Sequence, residues 1–206
     1  MRIEFLAPNP DRAGRYTVKF SDGTTLRLYR QTVEDFALYS GRAFTEEEYV
    51  ALHTAASRMS AKMRAVRTVA ASSVSKAELE QRLIYKGEDP NHAKEAVSWM
   101  QEMHLLDDLE TAKQIVNRCI SKGYGKARAK QALYEKRIPK VYWEEVLAEY
   151  PDQSECIAEF LQSKLGASRN AKDVRTATEA LIRRGFTYGQ IRQVLSNFDL
   201  TDILED

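Results

Sequence analysis

The sequence predicts a mainly α-helical protein in which a three-helix repeat is used three times in an elongated array, behind a small N-terminal module with a β-hairpin and a short helix. Two observations predict the repeats. Apolar residues at helical spacing recur at offsets of 50 and 48 residues, and acidic blocks alternate with basic ones. A period-2 apolar alternation near the start predicts the hairpin. The predicted units are the N-terminal module 1–45 and the helical repeats 46–110, 111–151 and 152–206.

The N-terminal module is predicted from alternation and turn chemistry. "RYTVKF" and "TLRLYR" alternate apolar with polar residues, and the intervening "SDGT" supplies the Asp-Gly that tight hairpins prefer. "RIEFLA" is a candidate third strand, and "TVEDFALYSG" predicts a short helix that ends near Gly41. So small a module is unstable alone, so we expect it to pack against the helices that follow.

The first helix of each repeat is predicted from its apolar spacing. A long helix is expected over about 46–72, where Val66 and Val69 stand 50 residues before Val116 and Cys119. The corresponding segments later in the chain carry apolar residues one and two turns apart. These residues are Ala112, Ile115, Val116, Cys119 and Ile120 in the second repeat and Ile157, Phe160 and Leu161 in the third.

The second and third helices follow with matching stripes. Each second helix has an i, i+4 pair, namely Leu79 and Leu83, Ala129 and Leu133, and Ala177 and Leu181. Each third helix has four apolar residues at i, i+3, i+4 and i+7. These are Ala93, Ala96, Val97 and Met100, then Trp143, Val146, Leu147 and Tyr150, then Ile191, Val194, Leu195 and Phe198.

Capping residues agree with these helices. The tetrapeptides "SKAE" (75–78), "DQSE" (152–155), "NAKD" (170–173) and "TYGQ" (187–190) predict helix starts, as do the prolines at 90 and 139. Four glycines suit helix C-termini, namely Gly87, Gly123, Gly166 and Gly185.

Composition restricts the class of protein. With 43% hydrophobic and 30% charged residues in 206, the chain is expected to fold as a soluble protein. No run approaches the ~20 apolar residues of a membrane helix, and the N-terminus lacks a signal peptide's apolar stretch, so a cytoplasmic location is expected. Only Cys119 and Cys156 are present, without a CxxC, which favours neither a disulfide framework nor a zinc site.

Catalytic and cofactor motifs are missing from the sequence. His53, His92 and His104 have no partners at ligand spacing, and Asp107 with Asp108 is better explained as a helix N-cap. "KGYGK" (122–126) does not have the spacing of a phosphate-binding loop, and neither GxSxG nor HExxH occurs. We therefore expect a protein that is not an enzyme and that has no catalytic residue, metal or cofactor.

Charge is segregated along the chain, although the net charge is only +1. In Lys+Arg against Asp+Glu, the basic blocks have 7 against 2 (58–86), 9 against 1 (111–143) and 7 against 2 (164–193). The acidic blocks have 1 against 7 (87–110), 0 against 6 (144–163) and 0 against 4 (194–206). Cations at helix C-termini oppose the helix dipole, but that effect does not require nine bases against one acid. The basic helices are therefore predicted to bind phosphates or an acidic protein surface, and the alternation suits a polymeric protein with nucleic acid inside.

The segment "HLLDDLETAKQIVNRCISKGYGKARAKQALYEKRIP" (104–139) resembles the RecX family of recombination regulators, as does "SKAELEQRLIYKG" (75–87). The resemblance spans about 58–206 and departs from the family at Thr111, where an aromatic residue is usual, and at Arg137, where glycine is common. It implies a curved array of helical repeats in a cytoplasmic bacterial protein. It also implies binding along the groove of the RecA recombinase filament. Such binding modulates, usually by inhibition, the ATPase, strand-exchange and coprotease activities, and DNA binding is modest.

The candidate residues for filament or DNA binding come from the three basic helices. They are Lys76, Arg82, Lys86, Lys122, Lys126, Arg128, Lys130, Lys136, Arg137, Lys172, Arg175, Arg183 and Arg184. The expected partners are the RecA filament and, weakly and without sequence preference, single- and double-stranded DNA; no membrane is expected, and the protein should be a monomer. The alternative is a direct DNA-binding helical protein or transcription regulator. "SKGYGKARAKQALYEK" offers mainly lysines, which suit phosphates better than base edges.

Overall fold

A computed structural model describes residues 1–9, 14–166 and 170–198 and confirms a mainly helical fold with a small N-terminal sheet. The chain forms two compact units. One contains Met1–Ser72 and Lys76–Leu106, and the other contains Ser73–Ser75 and the described residues from Asp107 onward. The finer division into one module and three repeats stays a prediction.

The N-terminal sheet has three antiparallel strands in the order β1 (Ile3–Pro8), β2 (Arg15–Phe20) and β3 (Thr25–Tyr29). The predicted turn joins β2 to β3, with Gly23 at φ +86° and the Asp22 carboxylate accepting from the Thr24 N–H at 2.9 Å. Helix α1 (Arg30–Asp35) is shorter than predicted and ends well before Gly41, whose N–H donates to the Ile3 carbonyl.

The module buries its apolar face against the first long helix, α2 (Glu46–Ala71), as predicted. Ile3, Val18, Phe20 and Leu28 are joined in one core by Leu52 of α2. Pairing of a three-stranded sheet with a helix supplies the apolar contact area that the hairpin lacks by itself.

Helices α2, α3 (Lys76–Tyr85) and α4 (Pro90–Glu102) complete the first unit. In α2 the fully buried side chains are Leu52, Ala61 and Ala65. Val66 and Val69, which the offset of 50 residues aligns with Val116 and Cys119, are only half-buried. Helix α2 packs against α3 and α4, and small buried side chains such as Ala61 and Ala65 let helices approach closely.

The second unit contains α5 (Asp108–Ser121), α6 (Lys126–Glu135), α7 (Trp143–Ala148), α8 (Ser154–Leu165), α9 (Ala171–Arg183) and α10 (Tyr188–Ser196). Helices α5, α6 and α7 share one core around Val116 and Leu133, and α8, α9 and α10 share another around Leu161 and Leu181. The buried i, i+4 pairs of α3, α6 and α9 are those read from the sequence.

The third helix of the middle repeat departs from its prediction. Pro139 precedes a 3-10 turn (Lys140–Tyr142) rather than opening an α-helix, and α7 has six residues. Of its predicted stripe only Leu147 is fully buried; the Trp143 indole instead donates to the Ile138 carbonyl at 3.0 Å. An indole N–H needs an acceptor, and this demand places Trp143 at the edge of the core.

Most other helix ends follow the sequence signals, but the Asp152 cap predicted from "DQSE" was wrong: the N-cap of α8 is Gln153, which makes no side-chain cap hydrogen bond. The Asp152 carboxylate instead accepts from the N–H groups of Gln153 and Ser154. The N-caps of α4, α5, α9 and α10 are Asp89, Asp107, Asn170 and Thr187, each accepting a backbone N–H. The four predicted C-terminal glycines all have positive φ. None of the helices formed by residues 1–9, 14–166 and 170–198 is long and apolar enough to cross a membrane.

Candidate partner-binding surface

The start of α6 is held by the end of α9 within the second unit. The Gly125 N–H donates to the Arg184 carbonyl at 2.8 Å, and the Ala127 N–H donates to the Gly185 carbonyl at 3.3 Å. The Lys126 N–H donates to Gln153 Oε1 at 3.3 Å. The first N–H groups of a helix and the last carbonyls of another are thus paired, and their dipole ends attract.

Two glycines allow this close approach. A Cβ on Gly125 would overlap the backbone carbonyl of Gly185, and a Cβ on Gly185 would overlap the backbone of Arg128. Gly185 also has φ +90°, which other residues rarely adopt. Backbone-to-backbone packing at this junction fixes the basic helix α6 to the C-terminal end of α9.

Buried polar groups support the segment before α6. The Tyr124 carbonyl accepts from the Tyr150 hydroxyl at 2.7 Å and from Gln153 Nε2 at 3.3 Å. Burial raises the pKa of Tyr150 to about 12. Burial likewise raises the pKa of the Cys119 and Cys156 thiols, so both are protonated and weakly nucleophilic at neutral pH.

Eight of the thirteen candidate cations have exposed side chains: Arg183, which pairs with Glu179, and seven others. None of the seven has an ion-pair or hydrogen-bond partner among the side chains of residues 1–9, 14–166 and 170–198. They are Lys86 at the end of α3, Lys122, Lys126, Lys130 and Arg137 on or beside α6, and Lys172 and Arg175 on α9.

Four other candidates have side chains that contact other residues of the same chain. The Arg82 guanidinium binds Glu78 and Ser72, and Arg128 pairs with Glu135 at 3.3 Å. Arg183 pairs with Glu179 at 3.6 Å, and the Arg184 guanidinium lies 4.6 Å from the centroid of the Phe160 ring. The remaining two, Lys76 and Lys136, are half-buried and also interact within the chain.

Arg137 stands in a backbone conformation that suits glycine. Its φ is +54°, and the Ile138 N–H closes the end of α6 by donating to the Leu133 carbonyl at 3.0 Å. The same closure occurs after α3 at Gly87 and after α9 at Gly185. The left-handed conformation accounts for the glycine that the resemblance led us to expect here.

Acidic side chains border the basic helices on neighbouring elements. Glu144, Glu145 and Glu149 are exposed on and after α7. Glu95 and Glu102 are exposed on α4 in the first unit. The last acidic block is 194–206, and its four acidic residues, all within 199–206, lie outside the described residues.

Sequence reasoning missed several exposed residues near these cations. Arg118 on α5 and Lys140 in the 3-10 turn are exposed cations. The second helices also expose Ile84, Tyr134 and Ile182, each directly after a buried leucine. The offsets of 50 and 48 residues, applied to this position, identify all three apolar residues from sequence alone.

Metal ligands are not grouped in the part of the chain that the structure describes, where no cluster of three or more His, Cys, Asp or Glu residues could hold an ion. His92 instead hydrogen-bonds through Nδ1 to the Ser57 hydroxyl at 2.9 Å.

Proteins named regulatory protein RecX resemble this chain in sequence. No family model matches the chain. "Regulatory protein RecX" of Vibrio parahaemolyticus serotype O3:K6 is 32% identical over 122 residues, covering 58% of this chain and 79% of that protein. The protein of the same name from Vibrio vulnificus is 30% identical over 142 residues, covering 68% and 93%. The Halorhodospira halophila protein is 26% identical over 142 residues, covering 67% and 88%.

Solved structures resemble the fold. A crystal structure of regulatory protein RecX superimposes with a TM-score of 0.66 at 15% identity, covering 95% of this chain and 98% of that one. RecX from Lactobacillus salivarius gives a TM-score of 0.60 at 20% identity, covering 71% and 99%.

Proposed function

This chain belongs to the RecX family of regulatory proteins, and we propose that it binds the nucleoprotein filament of the RecA recombinase and inhibits its ATPase, strand-exchange and coprotease activities. In this role it regulates DNA repair and acts through binding, without catalysis of its own. A monomeric state and a cytoplasmic location belong to the same proposal.

The proposal is carried by the exposed cations around α6 and α9 that have no side-chain partner within residues 1–9, 14–166 and 170–198. Lys126 and Lys130 are four residues apart and share one side of α6, and Arg137 is exposed just after the helix ends. Lys172 and Arg175 are exposed on α9, whose C-terminal end is fastened to the start of α6. Cations without internal partners are available to carboxylates or phosphates of another molecule.

The proposed mechanism is bridging. A row of cations fixed on rigid helices contacts acidic surface on successive recombinase protomers and fixes the spacing between them. Turnover of ATP along a filament needs movement between protomers, and a molecule bound across several of them opposes that movement. The acidic groups of α7 favour partner surfaces whose charge also alternates.

DNA is the secondary partner in the proposal. The exposed cations on α6 are mainly lysines, which attract phosphates as point charges and read no base sequence. Affinity for DNA alone should therefore be weak, independent of sequence and steeply reduced by salt.

A charge-reversed variant tests the proposal. Lys126→Glu/Lys130→Glu/Arg137→Glu is compared with a control of equal charge change, Arg27→Glu/Lys94→Glu/Lys164→Glu, whose side chains are also exposed. Replacement of three attractive contacts by repulsive ones should weaken filament binding by about tenfold or more. Suppression of the filament's ATPase should fall in parallel, and the control should act like the wild type.

Two results would contradict the proposal. Equal ATPase suppression by the α6 variant and the wild type would remove the middle repeat from the contact. A sequence-defined footprint on DNA in the absence of recombinase would favour the alternative, a DNA-binding transcription regulator.

A further inference from the structure

Each second helix exposes a large apolar side chain at the same place in its repeat. Ile84, Tyr134 and Ile182 are 39%, 72% and 48% exposed. They are separated by 50 and 48 residues, the same offsets that separate the buried leucines immediately before them.

The geometry of the helix explains why these side chains remain outside the core. Neighbouring residues are rotated by about 100° around the helix axis, so a residue after a fully buried leucine lies beside the core-facing stripe. A single exposed apolar residue on a protein surface is ordinary. Helix packing does not require an apolar residue at this exposed position. Its presence in all three second helices therefore indicates a common role.

Cations accompany these apolar side chains. Lys130 lies one turn before Tyr134 on α6, and Arg175 lies two turns before Ile182 on α9, so each pair shares a helix face. Both cations are exposed and unpaired with any residue in the described parts of the chain. On α3, Lys86 follows Ile84 by two residues, but Glu80 occupies the position that Lys130 has on α6. Of the three second helices, α3 is therefore the least basic around its exposed apolar residue.

An exposed apolar residue beside a cation fits a protein partner better than a nucleic acid. A phosphate backbone binds cations but offers no surface for an aliphatic side chain. Bases stack on aromatic rings, and two of the three residues here are isoleucines. A protein interface instead commonly buries an aromatic or aliphatic anchor in a shallow pocket and surrounds it with polar or charged contacts.

We infer that Ile84, Tyr134 and Ile182 are apolar anchors that dock into shallow pockets bordered by carboxylates on a protein surface. Because the anchor recurs along the chain, the matching pocket recurs on the partner, as it does on successive identical subunits of a polymer. This inference rests on the proposed function and deepens it: the second helices contact the protein subunits of the filament rather than its DNA.

The test uses the full-length Tyr134→Ser/Ile182→Ser variant, since both anchors belong to the second unit. The control is Tyr39→Ser/Val141→Ser, which removes two side chains that are 62% and 78% exposed at other positions. Each protein is titrated onto RecA filaments assembled on oligo-dT with a non-hydrolysable ATP analogue, and separately onto oligo-dT alone, at several salt concentrations.

Loss of two anchors should weaken filament binding by about tenfold to a hundredfold, because interface anchors dominate affinity. Binding to oligo-dT alone should change by less than about twofold, and the salt dependence of filament binding should keep its slope, since no charge is removed. The control should match the wild type in every titration.

Three outcomes overturn the inference. Equal losses on the filament and on oligo-dT would mean that the side chains contact bases. Wild-type filament affinity in the anchor variant, combined with reduced affinity in the Lys126/Lys130/Arg137 variant, would refute the anchors while the proposed function stands. Failure of the wild type to bind filaments at all would refute both.

Discussion

The junction between α6 and α9 predicts that one added methyl group at Gly125 strongly destabilises the second unit. Gly125 has φ −74°, a conformation that alanine adopts freely, so Gly125→Ala introduces no backbone strain. The new Cβ would instead overlap the Gly185 carbonyl group. A backbone carbonyl cannot rotate aside as a side chain can, so α6 must separate from α9.

The cost follows from the contacts that separate. Two backbone hydrogen bonds join α6 to α9, at 2.8 and 3.3 Å, and each contributes about 0.5–1.5 kcal/mol. Overpacking of a tight contact adds about 1–3 kcal/mol. Alanine reduces the conformational entropy of the unfolded chain, which offsets about 0.5 kcal/mol of this cost. Gly125→Ala should therefore lower the free energy of unfolding by about 1.5–5.5 kcal/mol.

The assay is urea unfolding of the full chain, followed by far-ultraviolet circular dichroism, with Gly189→Ala as the matched control. Gly189 is a helical glycine of α10 with open space around its Cα, so alanine there should stabilise the helix by about 0.5–1 kcal/mol. If Gly125→Ala is as stable as the wild type, or more stable like the control, the close contact of α6 with α9 does not exist in solution.

Further predictions concern single side chains of the second unit. Arg137→Gly should raise the free energy of unfolding in urea by about 0.5–1 kcal/mol because φ is +54°, while filament binding weakens; a loss of stability would contradict this. Leu133→Ala should lower the free energy of unfolding by about 2–5 kcal/mol, since the side chain is fully buried, and a change below about 1 kcal/mol would show that the site is loosely packed. Tyr150→Phe removes the hydrogen bond to the Tyr124 carbonyl and should cost about 1 kcal/mol at neutral pH. Burial raises the pKa of Tyr150 from 10.0 to about 12, so the protonated phenol stabilises the fold fully below pH 10. The wild type should lose this stabilisation between pH 10 and 12, so its free energy of unfolding should approach that of the variant. A difference between the two proteins that does not change with pH would refute this prediction. The pKa of the Cys156 thiol is raised by burial, so alkylation at neutral pH should be slower in the folded than in the urea-unfolded protein, and equal rates would contradict this.

Much of the local structure was predictable because its signals lie within a few residues of one another. Asp107 and Thr187 cap helices where the sequence places them, and Gly87 and Gly185 end helices in the left-handed conformation. The Asp-Gly turn between β2 and β3 and the buried leucines at 83, 133 and 181 were equally evident. In each case the side chain or its φ preference acts on its own segment of backbone.

Predictions failed where contacts between separate elements determine which residues are buried or where a helix begins. The buried positions of α2, which packs against α3 and α4, include Ala61 and Ala65, although Val66 and Val69 are the more apolar residues. After Pro139 the chain forms a 3-10 turn and the short helix α7, and two residues of the predicted stripe, Trp143 and Tyr150, donate to backbone carbonyls outside α7. The Tyr124 carbonyl that accepts from Tyr150 lies 26 positions away, so this contact depends on how separate elements approach.

The candidate site shows the same division. Thirteen cations on or beside the second helices were recognisable from charge density, and the i, i+4 spacing of Arg82 with Glu78 and of Arg183 with Glu179 is visible in the sequence. The pairing of Arg128 with Glu135 emerged only from the structure. The spacing of Ile84, Tyr134 and Ile182 is visible in the sequence, but only the structure shows that these three side chains are exposed.

The amino-acid sequence by itself determined most of the helices and helix ends, their apolar spacing and the resemblance to the RecX family, because periodicity, capping and local charge act over one or two turns. Only the tertiary structure decided which cations are unpaired, which apolar side chains stay in water, and how the start of α6 is closed by the end of α9. Those outcomes depend on contacts between residues up to about sixty positions apart in the chain, and such distances are set by packing rather than by any local preference.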